Sequence, residues 1–199
     1  GVFGASNFPF AFGVGGCDTA AAIAAGCTVI IKANPGHIET SRKVFALMQA
    51  AAKSLSAPEG LFNLVEDFEA GVEFVKHKNV SAVAFTGSTP GGRALFDIAQ
   101  SRKDPIPFYG ELGGLNPIFV TEEASAKNTA TIAQGFLDSV NLGAGQFCTK
   151  PGYLILVNGD LVRNEIVNLV PNVATHAMLN EKIRAAHDLN RSAYAGLPF

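Results

Sequence analysis

The sequence has few cysteines, no long uninterrupted apolar run and no block of charges of one sign. Its three cysteines, Cys17, Cys27 and Cys148, form no C-x-x-C pair, which argues against a disulfide framework and a zinc site and favours a reducing compartment, the cytoplasm. Glycine or polar residues interrupt each apolar run before it reaches membrane-spanning length. A net charge of -2 with 16% charged residues gives no electrostatic basis for binding nucleic acid or an anionic membrane. We therefore expect a soluble protein that acts on small molecules.

An initiator methionine is also missing, and the first residues lack the basic start of a signal peptide. Residues 1–4 already have the character of a strand that enters a turn, so we expect the natural chain to begin earlier. Residues 196–199 have turn character without a clear helix cap, which makes the C-terminal end a candidate for a second cut. The sequence is therefore interpreted as an excerpt of a longer protein.

Short β-prone runs alternate with longer helix-prone runs, and this alternation is typical of a parallel sheet covered by helices. With 48% hydrophobic residues the chain can form a packed core. We predict an α/β fold: a Rossmann-like parallel sheet with helices on both faces, followed by the start of a second α/β domain. The predicted domain boundary separates residues 1–112 from residues 113–199.

Turn residues and hydrophobic spacing predict the individual elements. The predicted strands are 2–5, 28–32, 61–65, 81–85, 108–109, 117–120 and 153–157. The predicted helices are 11–25, 38–55, 68–76, 91–100, 124–140 and 161–170. A glycine-rich loop is predicted for residues 141–152.

Two features suggest a cofactor site at the sheet edge. The glycine-rich turn that contains Gly87, Ser88 and Gly92 follows a strand and opens a helix, so its backbone N–H groups could hold a pyrophosphate. Its spacing differs from the usual dinucleotide fingerprint, and an ordinary βα turn explains it equally well. Lys32 stands at the carboxyl end of a predicted strand, where it could contact ribose or phosphate. A solvated surface lysine is the alternative.

Cys148 is placed like a nucleophile. It lies in a loop where Gly145 allows close backbone approach and Lys150 could favour the thiolate. Cys17 and Cys27 instead stand among Ala, Gly and Val, and we expect both to be small buried thiols.

Two further polar residues are candidates for catalysis. Glu111 lies in a glycine-flanked stretch between two predicted strands, where partial burial could raise its pKa toward that of a general base; a domain-junction carboxylate is the alternative. Asn7 follows the first strand, so it is either a helix N-cap or Asx turn or a donor to an oxyanion. The histidines share no metal-ligand spacing, and none is assigned a role: His37, His77, His176 and His187.

Together these residues resemble the aldehyde dehydrogenase superfamily. Five segments occur in the order of that family and at compatible spacings: 7–9, Lys32, 85–89, 111–114 and 145–148. The match extends from residue 1 to about residue 153 and then becomes weaker. The sequences around Cys148 and Gly92 look most like the branch of 2,5-dioxopentanoate (2-oxoglutarate semialdehyde) dehydrogenases and some NADP-linked fatty aldehyde dehydrogenases.

The resemblance implies a role for each residue. Cys148 is the nucleophile, Glu111 the general base and Asn7 an oxyanion donor. Lys32 contacts the adenosine ribose, and five further residues complete the cofactor site: Pro35, Gly87, Ser88, Gly92 and Leu112. No metal is implied, and the parent enzyme is expected to be a homo-oligomer.

The implied reaction oxidises an aldehyde to a carboxylic acid with NAD or NADP. NAD-preferring members often carry a glutamate where this chain has Pro35, so we predict that NADP is used at least as well as NAD. Acyl transfer to coenzyme A and a non-catalytic nucleotide-binding module remain alternatives; Glu111 argues against the first, and the three intact chemical positions argue against the second. As an excerpt, the 199-residue chain is expected to show little turnover by itself.

Overall fold

The computed structural model describes residues 1–195. The chain divides into two compact units, Gly1–Gly113 and a second unit that begins at Gly114. This division lies one residue from the predicted boundary; the assignment of the two units as cofactor-binding and catalytic domains stays a prediction. The predicted turn at residues 196–199 lies outside the described residues.

The first unit is built on a parallel sheet with the strand order β3-β2-β1-β4-β5. Its strands are β1 (Val2–Phe3), β2 (Val29–Lys32), β3 (Phe62–Val65), β4 (Val83–Thr86) and β5 (Phe108–Glu111). Its helices are α1 (Cys17–Ala24), α2 (Ile38–Ser54), α3 (Phe68–Lys76) and α4 (Thr89–Ser101).

Helices cover both faces of this sheet because side chains on a strand alternate between the two faces. On one face Val2 and Ile31 pack with residues of α1 and α2, such as Ile23 and Phe45. On the other face the core is formed with α3 and α4 by a second set of residues: Phe3, Phe74, Val75, Val83, Phe85, Leu95 and Ala99. The predicted fold class, a parallel sheet with helices on both faces, is confirmed.

The first helix is much shorter than predicted, because α1 begins at Cys17 and not at residue 11. Residues 9–16 form turns, closed by hydrogen bonds from the Cys17 N–H to the Ala11 carbonyl (2.9 Å) and from the Gly16 N–H to the Gly13 carbonyl (3.1 Å). Glycine has low helix propensity, and an added Cβ at Gly13 would collide with the Pro9 carbonyl. Close backbone packing therefore overrides the alanine-rich composition of this segment.

The second unit contains two parallel strands, β6 (Asn116–Val120) and β7 (Pro151–Leu156), together with α5 (Glu122–Asn141), α6 (Asp160–Leu169) and α7 (Glu181–Ala193). Its hydrophobic core residues lie on β6, α5 and α6: Val120, Ala133, Leu137 and Val162. Between α5 and β7 runs the segment that carries Cys148. Within residues 1–195, no helix combines the length and the apolar character needed to span a membrane.

Candidate active site

Four of the predicted site residues lie at one edge of the first sheet. All five strands are parallel, so their carboxyl ends meet at the same edge, which is where open α/β sheets bind ligands. Lys32 ends β2 and Glu111 ends β5, while Gly87 directly follows β4. Asn7 follows β1, the strand that pairs with both β2 and β4. After β1 the chain adds β2 and β3 on one side of the sheet, and it then adds β4 and β5 on the other side. The direction in which strands are added therefore reverses at β1, which makes this strand the topological switch point.

Lys32 is buried, with 7% of the residue exposed. Its Nζ donates a hydrogen bond to the Ala33 carbonyl at 2.8 Å. Helix α3 covers the side chain at Gly71, where an added Cβ would lie 2.9 Å from Lys32 Cγ. The interpretation of Lys32 as a solvated surface lysine is therefore wrong. A cation is held in place at the carboxyl edge of the sheet.

Burial also changes the electrostatics of this lysine. Desolvation lowers the pKa of Lys32, and the negative charges of Asp67 and Glu66 partly oppose that effect. Arg42 holds the Glu66 carboxylate with two hydrogen bonds of 2.8 Å and 2.7 Å, and this contact lowers the pKa of Glu66. One of the two nearby carboxylates thus already has a cationic partner of its own.

The glycine-rich turn opens α4, a helix of 13 residues. Ser88 is its N-cap: its Oγ accepts a hydrogen bond from the Gly91 N–H at 3.3 Å, and Pro90 stands in the first turn, where a missing N–H costs little. The turn is joined to the end of β5 because the Gly87 N–H donates to the Glu111 carbonyl at 3.0 Å. The positive end of a helix dipole therefore lies at the carboxyl edge.

Gly92 allows α4 to pack closely against the end of β5. An added Cβ at this position would collide with Leu112 Cδ2 and lie 3.2 Å from the Phe85 ring. This contact matches the role of a glycine that permits close helix-to-strand packing in dinucleotide folds. Leu112 is half-buried and supplies an apolar surface beside the turn.

Pro35 lies at the start of a short 3-10 turn after β2 and is exposed. The preceding Asn34 fixes this turn, since its side chain accepts from the Gly36 N–H at 2.9 Å and donates to the Gly4 carbonyl at 3.0 Å. The ends of β1 and β2 are thereby joined. The exposed turn after Lys32 therefore has an uncharged residue at position 35.

Glu111 differs from its expected setting in two respects. It is the last residue of β5, paired with Thr86 of β4, and does not lie between strands. Its side chain is exposed, so the expected partial burial is wrong in this structure. An exposed carboxylate at the sheet edge can reach water and accept a proton from it.

Asn7 is not a helix N-cap, because α1 begins ten residues later and is preceded by Gly16. It lies instead in a half-buried loop between β1 and α1. The loop is closed by the hydrogen bond from the Ala5 N–H to the Phe12 carbonyl, 2.8 Å, and by an edge-to-face contact of Phe8 with Phe12 at 5.5 Å. The N-cap interpretation was favoured by the alanine-rich sequence that follows.

Cys148 lies in the second unit and is half-buried. The loop before it turns sharply, because Gly143, Ala144 and Gly145 all have left-handed backbone angles, with φ of 59°, 56° and 71°. For Ala144 this conformation costs about 1–2 kcal/mol. After the cysteine, the Lys150 N–H donates to the Phe147 carbonyl at 3.1 Å. The Lys150 ammonium faces the Pro151 carbonyl, 3.4 Å away.

The model of the aldehyde dehydrogenase family matches residues 1–188. The chain belongs to this family. It is 44% identical over 202 residues to alpha-ketoglutaric semialdehyde dehydrogenase 2 of Azospirillum brasilense, covering 99% of this chain and 38% of that protein. It is 42% identical over 183 residues to alpha-ketoglutaric semialdehyde dehydrogenase of Acinetobacter baylyi, covering 90% and 35%. The chain thus spans little more than a third of these relatives.

Solved structures agree with this assignment. The NAD-dependent aldehyde dehydrogenase from Sinorhizobium meliloti superimposes with a TM-score of 0.77 at 27% identity, over 98% of this chain and 39% of that one. Both the predicted family and the predicted branch are confirmed by the comparisons. They leave the individual site residues as predictions.

The groups at the carboxyl edge of this aldehyde dehydrogenase chain could hold a dinucleotide. The edge offers a buried cation at Lys32, the N-terminus of α4 and the close packing that Gly92 allows. These groups match an anionic pyrophosphate and the hydroxyls of a ribose.

Two cysteines outside the proposed site were also wrongly predicted, and one residue beside Cys148 was missed. Cys17 and Cys27 are exposed, so the expectation of two buried thiols is wrong. Desolvation, followed by the charge of Asp18, raises the pKa of the Cys17 thiol. Sequence reasoning also missed Asn116, whose side chain bonds to the Cys148 loop. The alternation of apolar and polar residues along β6 gave no signal for this contact, because the contact depends on which part of the chain lies beside the strand.

The second unit also contains a cavity of about 500 Å³ next to the start of the Cys148 loop. Its lining includes Asp138, Leu142 and Gly143, together with Leu169 and His176 from the segment around and after α6. The predicted catalytic and cofactor residues do not take part in this lining.

Proposed function

We propose that the protein containing this chain oxidises an aldehyde to a carboxylic acid with NAD or NADP as the oxidant. The observation that carries the proposal is Cys148, a half-buried thiol on a sharply turned loop in a member of the aldehyde dehydrogenase family. The other two cysteines are exposed, one on α1 and one beyond its end. A tightly constrained loop can hold a nucleophile in a reactive direction.

In the proposed reaction, the Cys148 thiolate attacks the aldehyde carbon and forms a thiohemiacetal. The resulting oxyanion accepts hydrogen bonds from the Asn7 side-chain amide and the Cys148 backbone N–H. A bound nicotinamide supplies the acceptor for the hydride that leaves this carbon. Glu111 then takes a proton from water, which attacks the thioester and releases the carboxylic acid and the thiolate.

For the cofactor, we propose that Lys32 donates to the adenosine ribose. The N-terminus of α4, with Gly87, Ser88 and Gly92, holds the pyrophosphate, and Leu112 packs beside it. NADP is expected to bind at least as well as NAD, because uncharged Pro35 stands where a glutamate would repel the 2′-phosphate.

Cofactor titration of the full-length protein tests this choice with one matched variant. Pro35→Glu introduces the missing carboxylate at an exposed position. We expect its affinity for NADP to fall by about tenfold or more, which corresponds to about 1.4 kcal/mol of repulsion. Its affinity for NAD should be retained or improved. Strong NAD preference of the unchanged protein would contradict the proposal.

The two relatives that act on alpha-ketoglutaric semialdehyde support a short, acidic semialdehyde as the substrate class. A long-chain fatty aldehyde is the alternative from the same branch. A panel that measures kcat/KM for 2-oxoglutarate semialdehyde, an uncharged short aldehyde and a fatty aldehyde distinguishes them. The proposal requires the acidic semialdehyde to rank first.

Cys148→Ser in the full-length protein tests the proposed activity. Turnover should fall at least about a thousandfold, because a serine hydroxyl has no comparable thiolate form. Cys27→Ser is the matched control and should retain activity, since Cys27 is exposed outside the site. Persistent turnover of Cys148→Ser, or formation of an acyl-CoA in place of the acid, would contradict the proposal.

We also propose that the full-length protein is a cytoplasmic homo-oligomer. The cytoplasmic location is supported by three free cysteines, two of them exposed, because exposed thiols persist in reducing compartments. The oligomer follows from the family resemblance alone. Light scattering of the purified full-length protein should give a mass that is a multiple of the chain mass.

A further inference from the structure

The loop that carries Cys148 is held by one side chain from β6. Asn116, the first residue of that strand, uses Nδ2 to donate to the Cys148 carbonyl at 2.7 Å and to the Lys150 carbonyl at 3.0 Å. A carboxamide nitrogen carries two hydrogens, so both of its donor positions are used on this loop. The contact fixes the backbone from the cysteine to the start of β7.

The contact reaches beyond the paired part of the two strands. Strand β7 begins at Pro151, which pairs with Asn116, so the Cys148 carbonyl lies outside the strand ladder. Upstream, the left-handed conformation of Ala144 costs free energy that other contacts must offset. Gln146 supplies one of them: its Nε2 donates to the Gly143 carbonyl at 2.8 Å, and its Oε1 accepts from the Leu179 N–H at 2.9 Å.

We propose that Asn116 is a positioning residue for the Cys148 nucleophile. This inference rests on the proposed function of Cys148. By holding the carbonyls of Cys148 and Lys150 on one nitrogen, Asn116 fixes the peptide plane that follows the cysteine. The direction of the Cys148 side chain is fixed with it, and a nucleophile displaced by about 1 Å reacts about a hundredfold more slowly.

Three substitutions of Asn116 in the full-length protein test the inference. Asn116→Ala removes both donors, Asn116→Ser keeps one, and Asn116→Asp keeps the shape but presents only acceptors to two carbonyl oxygens. We expect kcat to fall by about tenfold to hundredfold in the Asn116→Ala and Asn116→Asp proteins. The kcat of the Asn116→Ser protein should lie between these values and that of the unchanged protein. KM for the cofactor should stay within about twofold. Asn164→Ala, at an exposed position of α6, is the control and should leave kcat unchanged.

The second readout is independent of turnover. In a background of Cys17→Ser and Cys27→Ser, iodoacetamide reports on Cys148 alone. The pH profile of its alkylation should be altered by Asn116→Ala and be nearly normal in Asn116→Ser; Asn116→Asp is left out of this readout because its new carboxylate acts on the thiol directly. A purely structural role would lower thermal stability and leave this profile unchanged.

The inference is overturned if folded Asn116→Ala protein keeps both the normal kcat and the normal alkylation profile. If the Ala variant fails to fold, a normal kcat in folded Asn116→Asp protein overturns it. Failure of the proposed function gives a different result, because Cys148→Ser would then retain turnover. If Cys148→Ser loses turnover while the Asn116 variants keep the kcat of the unchanged protein, only the positioning role of Asn116 is contradicted.

Discussion

A methyl group added at Gly92 should destabilise the first unit, although the same change in most helices does the opposite. Replacing a helix-interior glycine by alanine usually stabilises by about 0.5–1 kcal/mol. At Gly92, however, the new Cβ would collide with Leu112 Cδ2 and lie 3.2 Å from the Phe85 ring. Overpacking of this kind costs about 1–3 kcal/mol. We expect a net loss of about 1–2 kcal/mol in the free energy of unfolding.

Urea unfolding followed by circular dichroism measures this effect. In a Leu112→Ala background the obstacle is removed, so Gly92→Ala should become neutral or stabilising, and the double-mutant cycle should give a coupling of about 1–2 kcal/mol. Gly135→Ala on α5 is the control, because an added Cβ there has no neighbour within 4 Å; it should stabilise. A Gly92→Ala protein as stable as the Gly135→Ala protein would refute the packing argument.

Two further predictions concern buried polar groups. Thr19→Val should raise the free energy of unfolding by about 1 kcal/mol, because the buried Thr19 hydroxyl has no hydrogen-bond partner among the described residues; an unchanged or lower urea midpoint would contradict this. Lys32→Met should change the pH dependence of stability. The lowered pKa of Lys32 means that the folded chain binds fewer protons than the unfolded chain between that pKa and 10.5, so the stability of the unchanged protein relative to Lys32→Met should rise as the pH is raised toward 10.5. A constant or falling difference would contradict the burial of a charged lysine.

The sequence predicted the parallel sheet because β-prone and helix-prone runs alternate clearly, and α3 begins and ends where its pattern indicates. The start of α1 was wrong because helix propensity is local, whereas the close approach of Gly13 to Pro9 is a tertiary effect. The burial of Lys32 could not be predicted for the same reason. It depends on Gly71, 39 positions away in sequence, letting α3 cover the lysine.

Site residues that are recognised by their type and their order along the chain could be predicted from the sequence. Site features that depend on tertiary contacts could be predicted less well. The position of Lys32 at a strand end follows from the pattern, whereas Glu111 was expected between two strands and ends β5. The exposure of Cys17 and Cys27 was not predictable from their small neighbours, since composition does not say which side of a helix faces solvent. The role of Asn116 depends on which part of the loop lies beside the first residue of β6, and the sequence of that strand alone does not encode this.

The central claim is that Cys148 forms a covalent acyl intermediate that Glu111 helps to hydrolyse. Its most direct test is mass spectrometry of the full-length Glu111→Gln protein, quenched after mixing with NADP and an aldehyde substrate. Without the base, the thioester should accumulate, and the acyl mass should be found on the peptide that contains Cys148. An unmodified Cys148 during turnover, or an acyl group on Cys17 or Cys27, would contradict the account.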